Sequence, residues 1–307
     1  MIAPPYTIIE RLTIVAPFGI GLWDGTRGRL VSEGMQVRVF RTTGPYARDV
    51  VEATAGRNGV FVPHTLFGPR RFDDRSISDS TSPPETVLVE VRDLLGRYAS
   101  FVMHLSERRG DGFAVPSCVD DVTWPGTPTT SPGASTPYVP LLALPSQPTP
   151  AGMTAVRASL TDAATGSPAE GAVLEVREAG RLLARGLADD RGEVAAVFAY
   201  PEVAAPPPWS PPGAAPKPLR MTDQHWALDV AVRYRRNLLR VTPGGSRPPL
   251  PDFCDLLQQP IARMSIASPP ADSTNRLSIA SLPGVTAGIE LRYGEEPVLP
   301  ELLIDPV

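Results

Sequence analysis

Proline restricts the fold of this chain more than any other residue type. It accounts for 37 of the 307 residues, against an average usage of about 5%. Because proline fixes φ and has no backbone N–H, it is excluded from helix interiors and from central strands. The prolines must therefore lie in loops, sheet edges and connecting segments, which favours short ordered elements with long connections.

Between the prolines, short segments alternate apolar and polar residues with a period of two, which is typical of strands with one buried face. In the first half this pattern predicts strands at 6–16, 19–24, 35–40, 50–53, 57–62, 86–91 and 98–105. In the second half it predicts strands at 155–161, 172–178, 182–187, 193–198, 226–234, 276–281 and 287–293. Regularly spaced short strands of this kind indicate antiparallel sandwiches.

The chain is long enough to form two hydrophobic cores. We therefore predict an all-β protein with two tandem antiparallel β-sandwich domains of Ig-like or transthyretin-like type. The predicted divisions are an N-terminal sandwich at 6–118, a proline-, serine- and threonine-rich linker at 119–152, and a C-terminal sandwich at 153–307 with a proline-rich insertion at 201–219.

One short helix is predicted in the second domain, at residues 251–259. Phe253, Leu256 and Leu257 have helical spacing there, and Asp252 is placed to support the N-terminus of the helix.

The two halves repeat one short pattern in the same order, with similar separations. In each half an aspartate ends a strand by bonding local backbone, a glycine lets the chain re-enter the sheet, and a second glycine permits a hairpin. The matching pairs are Asp24 with Asp162, Gly34 with Gly171, and Gly59 with Gly192. We interpret the pattern as a diverged duplication; the alternative is chance, since glycine turns between strands are common.

The second copy, at 171–177 and 188–198, resembles the carboxypeptidase-regulatory-like (transthyretin-like) β-sandwich, and 34–40 with 56–62 is a weaker copy. The chain as a whole also resembles a family of small β-rich proteins encoded with phage-tail-like extracellular contractile injection systems. The residues that carry this resemblance are 16–24, 250–255 and 299–304. It implies a structural or adaptor component whose partners are other subunits of sheath, cap or baseplate type, with self-association as a further option.

Charge and cysteine content limit the partners and the compartment. The net charge of −4 gives no global field for nucleic acid or for an anionic membrane. No apolar run reaches the roughly 20 residues of a membrane helix, so we expect a soluble protein without membrane insertion. Cys118 and Cys254 show no metal-ligand spacing, and the start of the chain shows no signal peptide. We predict reduced thiols and a cytoplasmic protein that enters a particle able to leave the cell.

The sequence offers no catalytic, cofactor or metal site. His104 and Glu107 have the His-x-x-Glu spacing of a zinc carboxypeptidase, but residues three apart on a strand face opposite sides of the sheet. The only other histidines are His64 and His225, so a three-ligand zinc site would need a distant residue. Residues 189–193 indicate a polar hairpin rather than a calcium loop. We therefore predict a protein that is not an enzyme.

The candidate partner-binding residues lie in the proline-rich segments. They are Trp124, Tyr138, Leu141, Leu142 and Trp209. Aromatic residues in irregular segments can anchor an interface or bind a sugar, and the alternative is that each packs its own loop onto a sandwich. We predict a non-enzymatic structural or adaptor component of a contractile particle, and the alternative is a carbohydrate- or cell-envelope-binding module. Deletion of 123–145 is expected to leave both sandwiches folded.

Overall fold

The structure is a computed structural model, and it describes residues 19–42, 50–63, 86–108, 112–114, 118, 138–201, 224–242, 248–266, 287–294, 296–299 and 301–306. The predicted strands at 6–16 and 276–281 lie outside these residues, as does nearly all of the proline-rich insertion.

The described elements are almost all strands, as the alternating sequence pattern predicts. Those of the first half are β1 (Ile20–Asp24), β2 (Arg29–Leu30), β3 (Met35–Arg41), β4 (Val50–Ala55), β5 (Val60–Val62), β6 (Thr86–Asp93), β7 (Phe101–Arg108), β8 (Gly112–Ala114) and β9 (Tyr138–Pro140). Those of the second half are β10 (Met153–Asp162), β11 (Val173–Glu178), β12 (Arg181–Leu187), β13 (Glu193–Ala199), β14 (His225–Arg233), β15 (Arg240–Val241), β16 (Leu250–Pro251), β17 (Arg263–Ile266), β18 (Ala287–Arg292) and β19 (Leu302–Asp305). The predicted helix is confirmed as α1 (Phe253–Leu257).

Strands β1–β9 form the first module. Its strand order is β2-β1-β5-β4-β3-β6-β7-β8, and β9 pairs in parallel with β1. The strand β4 joins two layers, because Val50–Ala53 pair with β3 whereas Thr54 and Ala55 pair with β5. Side chains from both layers, such as Leu22 on β1 and Val89 on β6, meet in one buried cluster. The first module is therefore a folded-over, two-layered sheet.

Strands β10–β14 and β17–β19 form the second module, which has two separate four-stranded sheets. Their orders are β13-β10-β19-β17 and β12-β11-β14-β18. The inward side chains of both sheets, among them Val156, Leu174 and Trp226, form a second buried cluster. The all-β sandwich prediction is thus confirmed.

The two modules share a layout that follows the sequence repeat. The strand that ends in the repeated aspartate, β1 or β10, receives a late strand in parallel, β9 or β19. The antiparallel pair β3–β6 has its counterpart in β11–β14. The connection after β6 to β7 is short and comprises only residues 94–100, whereas the connection after β14 is long and contains β15, β16, α1 and β17.

That long connection ties the modules together. We call residues 248–262 the bridging segment. Its helix places Phe253 in the buried cluster of the first module, where its ring centroid lies 4.4 Å from that of Phe101 on β7. Val173 and Leu187 of the second module belong to the same cluster. The core cluster of the first module therefore extends to residues of the second module, and the proposed division of the chain at 118 and 153 stays a sequence-based prediction.

Helix α1 begins where the sequence places its cap. Asp252 has extended backbone, and its side chain accepts a hydrogen bond from the backbone N–H of Asp255 at 3.0 Å. This satisfies one of the N–H groups that the first turn of a helix leaves without a partner. Neither α1 nor any other helix in the described part of the chain is long and apolar enough to cross a membrane.

Candidate functional site

The repeated aspartate closes a polar contact at one end of each module. In the first module, Asp24 Oδ1 accepts hydrogen bonds from the backbone N–H groups of Thr26 (2.9 Å) and Arg27 (3.2 Å). Its Oδ2 accepts from the hydroxyl of Tyr98 at 2.6 Å. Burial and the hydrogen bond to Asp24 both raise the pKa of Tyr98. Tyr98 thus keeps its proton and donates it in a hydrogen bond to a buried carboxylate.

The second module repeats this contact, and Arg236 takes the place of Arg27, whose Nη1 lies 3.5 Å from Asp24 Oδ2 in the first module. Asp162 Oδ1 accepts from the backbone N–H groups of Ala164 (2.9 Å) and Thr165 (3.3 Å). Its Oδ2 accepts from the Tyr234 hydroxyl at 3.2 Å and from Arg236 Nε at 2.5 Å. The hydrogen bond from Arg236 lowers the pKa of Asp162 to about 2. Burial, reinforced by Asp162, raises the pKa of Tyr234 to about 12.

Neither contact is suited to acid–base catalysis. At neutral pH each tyrosine keeps its proton and Asp162 stays charged, because the pKa of Asp162 lies far below 7 and those of Tyr98 and Tyr234 lie far above it. Each aspartate also bonds the backbone of the turn that follows it. We therefore assign both contacts to the anchoring of turns.

Glu175 on β11 is the centre of a buried ionic cluster. Its Oε1 accepts from Arg185 Nη2 on β12 (2.6 Å) and from Arg233 Nε on β14 (2.8 Å), and its Oε2 accepts from Arg177 Nη2 (3.0 Å). Burial alone raises the pKa of Glu175, but the charges of Arg185 and Arg233 outweigh it and hold that pKa below its ordinary value. Burial lowers the pKa of Arg185. The cluster therefore links the three adjacent strands β12, β11 and β14 through side-chain hydrogen bonds.

The first module carries a smaller cluster of the same kind. The buried carboxylate of Glu90 on β6 pairs with Arg38 on β3 at 3.3 Å and with Arg92. Arg92 also donates to the backbone carbonyl of Pro248 in the bridging segment at 3.1 Å. Arg92 therefore links the ionic cluster of the first module to the bridging segment.

The bridging segment also makes hydrogen bonds with the second module. The buried side chain of Gln259 donates from Nε2 to the carbonyl of Gly171 at 2.9 Å, and its Oε1 accepts from the backbone N–H of Arg235 at 2.7 Å. Arg233 of the ionic cluster donates to the backbone carbonyl of Gln259 at 2.9 Å. The bridging segment therefore contacts both modules through buried groups.

A disulfide completes this joint. The sulfurs of Cys118 and Cys254 are bonded, which links the chain just after β8 to the first turn of α1. The prediction of two reduced thiols is wrong. It failed because residues separated by 136 positions carry no sequence signal of proximity, and α1 brings one of them onto the first module.

The structure relocates part of the predicted partner-binding set. Leu141 and Leu142 lie directly after β9, and both are buried in the core cluster of the first module. The sequence predicts that they lie in a proline-rich linker, whereas the parallel pairing of β9 with β1 carries them inside the first module. Tyr138 is half-buried on β9, with its ring centroid 5.9 Å from that of Trp23.

Trp124 and Trp209 lie outside the described residues, so their proposed binding role stays a prediction. His104 is exposed on β7, while the neighbouring Leu105 faces the core. Within the described ranges, no three His, Cys, Asp or Glu side chains are grouped so as to hold a metal ion.

No sequence pattern pointed to the tyrosines that bond the repeated aspartates, or to the arginines around Glu175. Leu94 and Leu95, in the turn after β6, were also not among the predicted site residues, although they are among the most exposed large apolar residues described. The sequence signal that could have identified them as exposed is the position of two adjacent leucines directly before a turn glycine, Gly96.

No protein-family model matches the chain, and no curated protein matches it. Among solved structures it is similar to 5-hydroxyisourate hydrolase from Klebsiella pneumoniae, with 18% identity, a TM-score of 0.22, and coverage of 50% of this chain and 92% of that chain.

It is also similar to two pilins. The shaft pilin SpaA from Lactobacillus rhamnosus GG has 9% identity and a TM-score of 0.23, with coverage of 94% of this chain and 96% of that chain. A streptococcal ancillary pilin has 9% identity and a TM-score of 0.23, with coverage of 94% and 68%. The assignment of a β-sandwich rests on the sheets described above.

Proposed function

We propose that this chain is a non-enzymatic structural or adaptor protein that acts through protein–protein contacts. The observation that carries the proposal is the joint between the modules, in which a shared core, the bridging segment and a disulfide hold two sandwiches together. Such a joint fixes the distance and orientation between two surfaces, which is what a structural subunit supplies. The buried ionisable groups described above all serve turns, strands or the joint.

Isolation of the native protein tests this proposal. The protein would be purified with an affinity tag from the cells that make it, and co-eluting proteins would be quantified by mass spectrometry. We expect stoichiometric partner subunits. A variant with Phe253→Ala, which weakens the joint, should lose partners, whereas the exposed Val298→Ala should keep them. Elution of the wild-type chain without any protein partner would contradict the proposal.

The finer proposal is a component of a phage-tail-like contractile particle, and it is supported by sequence resemblance alone. Mass spectrometry of purified particles tests it, since the chain should be present at a fixed ratio to the sheath. Its absence from such particles would remove this assignment and leave the general structural role intact.

The disulfide also supports a proposal about the compartment. Disulfides form and persist in oxidising surroundings and are rare in the reducing cytoplasm. We propose, in place of the cytoplasmic site expected from the sequence, that the mature protein works in an oxidising compartment. Alkylation of thiols in intact cells, followed by mass spectrometry, should find Cys118 and Cys254 unmodified. Full alkylation of both would contradict the proposal.

A further inference from the structure

The turn between β6 and β7 exposes two adjacent leucines. Leu94 and Leu95 are 68% and 56% exposed, and we call them the leucine tip. Other exposed large apolar residues in the described ranges, Val50, Leu239 and Val298, do not adjoin one another in the sequence. Adjacent exposed leucines on an ordered turn are typical of a contact site rather than of ordinary surface.

The leucine tip is held in place by hydrogen bonds. The carboxylate of Asp93 accepts from the backbone N–H groups of Leu95 (3.1 Å), Arg97 (2.6 Å) and Tyr98 (3.0 Å). The guanidinium of Arg97 donates to the same carboxylate and to the carbonyl of Glu33. Because the turn is already ordered, little conformational entropy is lost when the leucines are buried by a partner.

The second module has a leucine in the position that corresponds to Leu95, and the contacts of that leucine lie in the described part of the chain. Leu95 lies over Gly34, so close that a Cβ at Gly34 would come within 2.6 Å of its side chain. Leu238, in the connection after β14, lies over Gly171 in the same way, at 3.2 Å from the corresponding Cβ position. Gly34 and Gly171 are the matching glycines of the sequence repeat, so the two arrangements are equivalent.

The two leucines differ in what covers them. Leu238 is partly buried and packs against the core cluster that the modules share. In the second module this end of the sandwich is thus a contact face towards another sandwich of the same chain. In the first module the equivalent end carries the leucine tip, and no described contact buries it.

We infer that the leucine tip docks on a second copy of this chain. The duplication gives the first module the same contact end that the second module already uses within the chain. A contact between unlike surfaces of two copies is heterologous, so it can continue from copy to copy. The inference rests on the proposed structural function and names one partner for it.

Sedimentation velocity of the full oxidised chain tests the inference, at concentrations from roughly 1 µM to 1 mM. We expect reversible association of the wild type. Leu94→Asp should weaken it at least about tenfold, because the exposed leucine would be replaced by a charge. Val298→Asp is the matched control, since Val298 is 65% exposed, and it should associate like the wild type. Circular dichroism and thermal unfolding establish that both variants fold.

Three results would overturn the inference: a wild type that stays monomeric over the whole range, a Leu94→Asp variant that associates like the wild type, or equal weakening by Val298→Asp. Flotation of the wild type with vesicles of neutral and anionic phospholipid, lost in Leu94→Asp, would also overturn it in favour of a lipid surface. A monomeric wild type that still co-purifies with other proteins would leave the proposed function standing.

Discussion

Gly180 and Gly192 have nearly the same backbone conformation but different surroundings. Their φ values are 82° and 79°, in the left-handed region that other residues rarely adopt. A Cβ at Gly180 would meet open space, whereas a Cβ at Gly192 would clash with the carbonyl oxygen of Leu160. Gly192, the hairpin glycine of the repeat, is therefore required both for the turn and for the close approach of this turn to β10.

We expect Gly180→Ala to lower the free energy of unfolding by about 1 kcal/mol, the cost of the left-handed conformation alone. Gly192→Ala should lower it by at least about 3 kcal/mol, because the backbone of β10 must also shift. Urea denaturation of the two variants measures this difference. Equal effects would show that the contact with Leu160 has no energetic weight.

Asp162 makes a pH-dependent contribution to stability. Its folded-state pKa of about 2 lies below the ordinary value of 3.8, so its contribution is complete above about pH 5 and is lost as the pH falls towards 2. At neutral pH, Asp162→Asn should lower the free energy of unfolding by about 1–2 kcal/mol. Denaturation curves should show this difference narrowing between about pH 5 and pH 2.

The exposed Asp190 provides the control for Asp162. Asp190→Asn should change stability by less than about 0.5 kcal/mol at any of these pH values. A pH-independent effect of Asp162→Asn would contradict the assigned contact with Arg236.

Local signals were enough to predict the aspartate turns, but not their partners. The sequence indicated that Asp24 and Asp162 each end a strand and bond nearby backbone, and the structure confirms this. The tyrosines that complete the contacts lie 74 and 72 residues further along the chain. Contacts at that separation depend on the sheet order, which a single sequence does not reveal.

At the level of elements, β9 shows why an apolar segment within a linker can be misread. The segment was expected to be dispensable for folding, yet β9 pairs with β1 and is followed by Leu142, which is fully buried. Its partner strand lies far away in the sequence and runs parallel to it, so no hairpin signal connects the two. Helix α1, by contrast, was predictable because its cap and its apolar spacing are local.

Leu142→Ala should lower the free energy of unfolding by about 2–5 kcal/mol, the range for truncation of a buried leucine. Leu94→Ala, which removes the same atoms from an exposed position, should change it by less than about 0.5 kcal/mol. Thermal unfolding of both variants tests the assignment of β9 to the core. A similar melting temperature for the two variants would indicate that residues 138–145 belong to a linker and not to the core of the first module.

At the level of the whole molecule, the sequence predicted the number of sandwiches but not their association. Packing between the modules depends on contacts of α1, Val173 and Leu187 with the first module. In the sequence, all three lie within the predicted C-terminal domain, and nothing in their pattern indicates a contact outside it. The disulfide was missed for the same reason.

The disulfide should contribute measurably to stability. The double variant Cys118→Ser with Cys254→Ser is expected to lose about 2–4 kcal/mol of unfolding free energy, because the cross-link restricts the unfolded chain. Reduced wild type should behave like this variant, and reductant should leave the variant unchanged. Guanidinium denaturation with and without reductant is the measurement, and a reductant effect on the variant would point to another cause.

The disulfide also determines how the molecule would respond to mechanical load. A pulling force applied to the segments before Cys118 and after Cys254 passes directly through the sulfur bond. The chain between the cysteines, which are 136 positions apart, has a contour length of roughly 450 Å when extended and is excluded from the load path. Strands β9 to β16 therefore cannot be stretched out while the bond is intact, and tension would fall on β1–β8 and on the strands after α1.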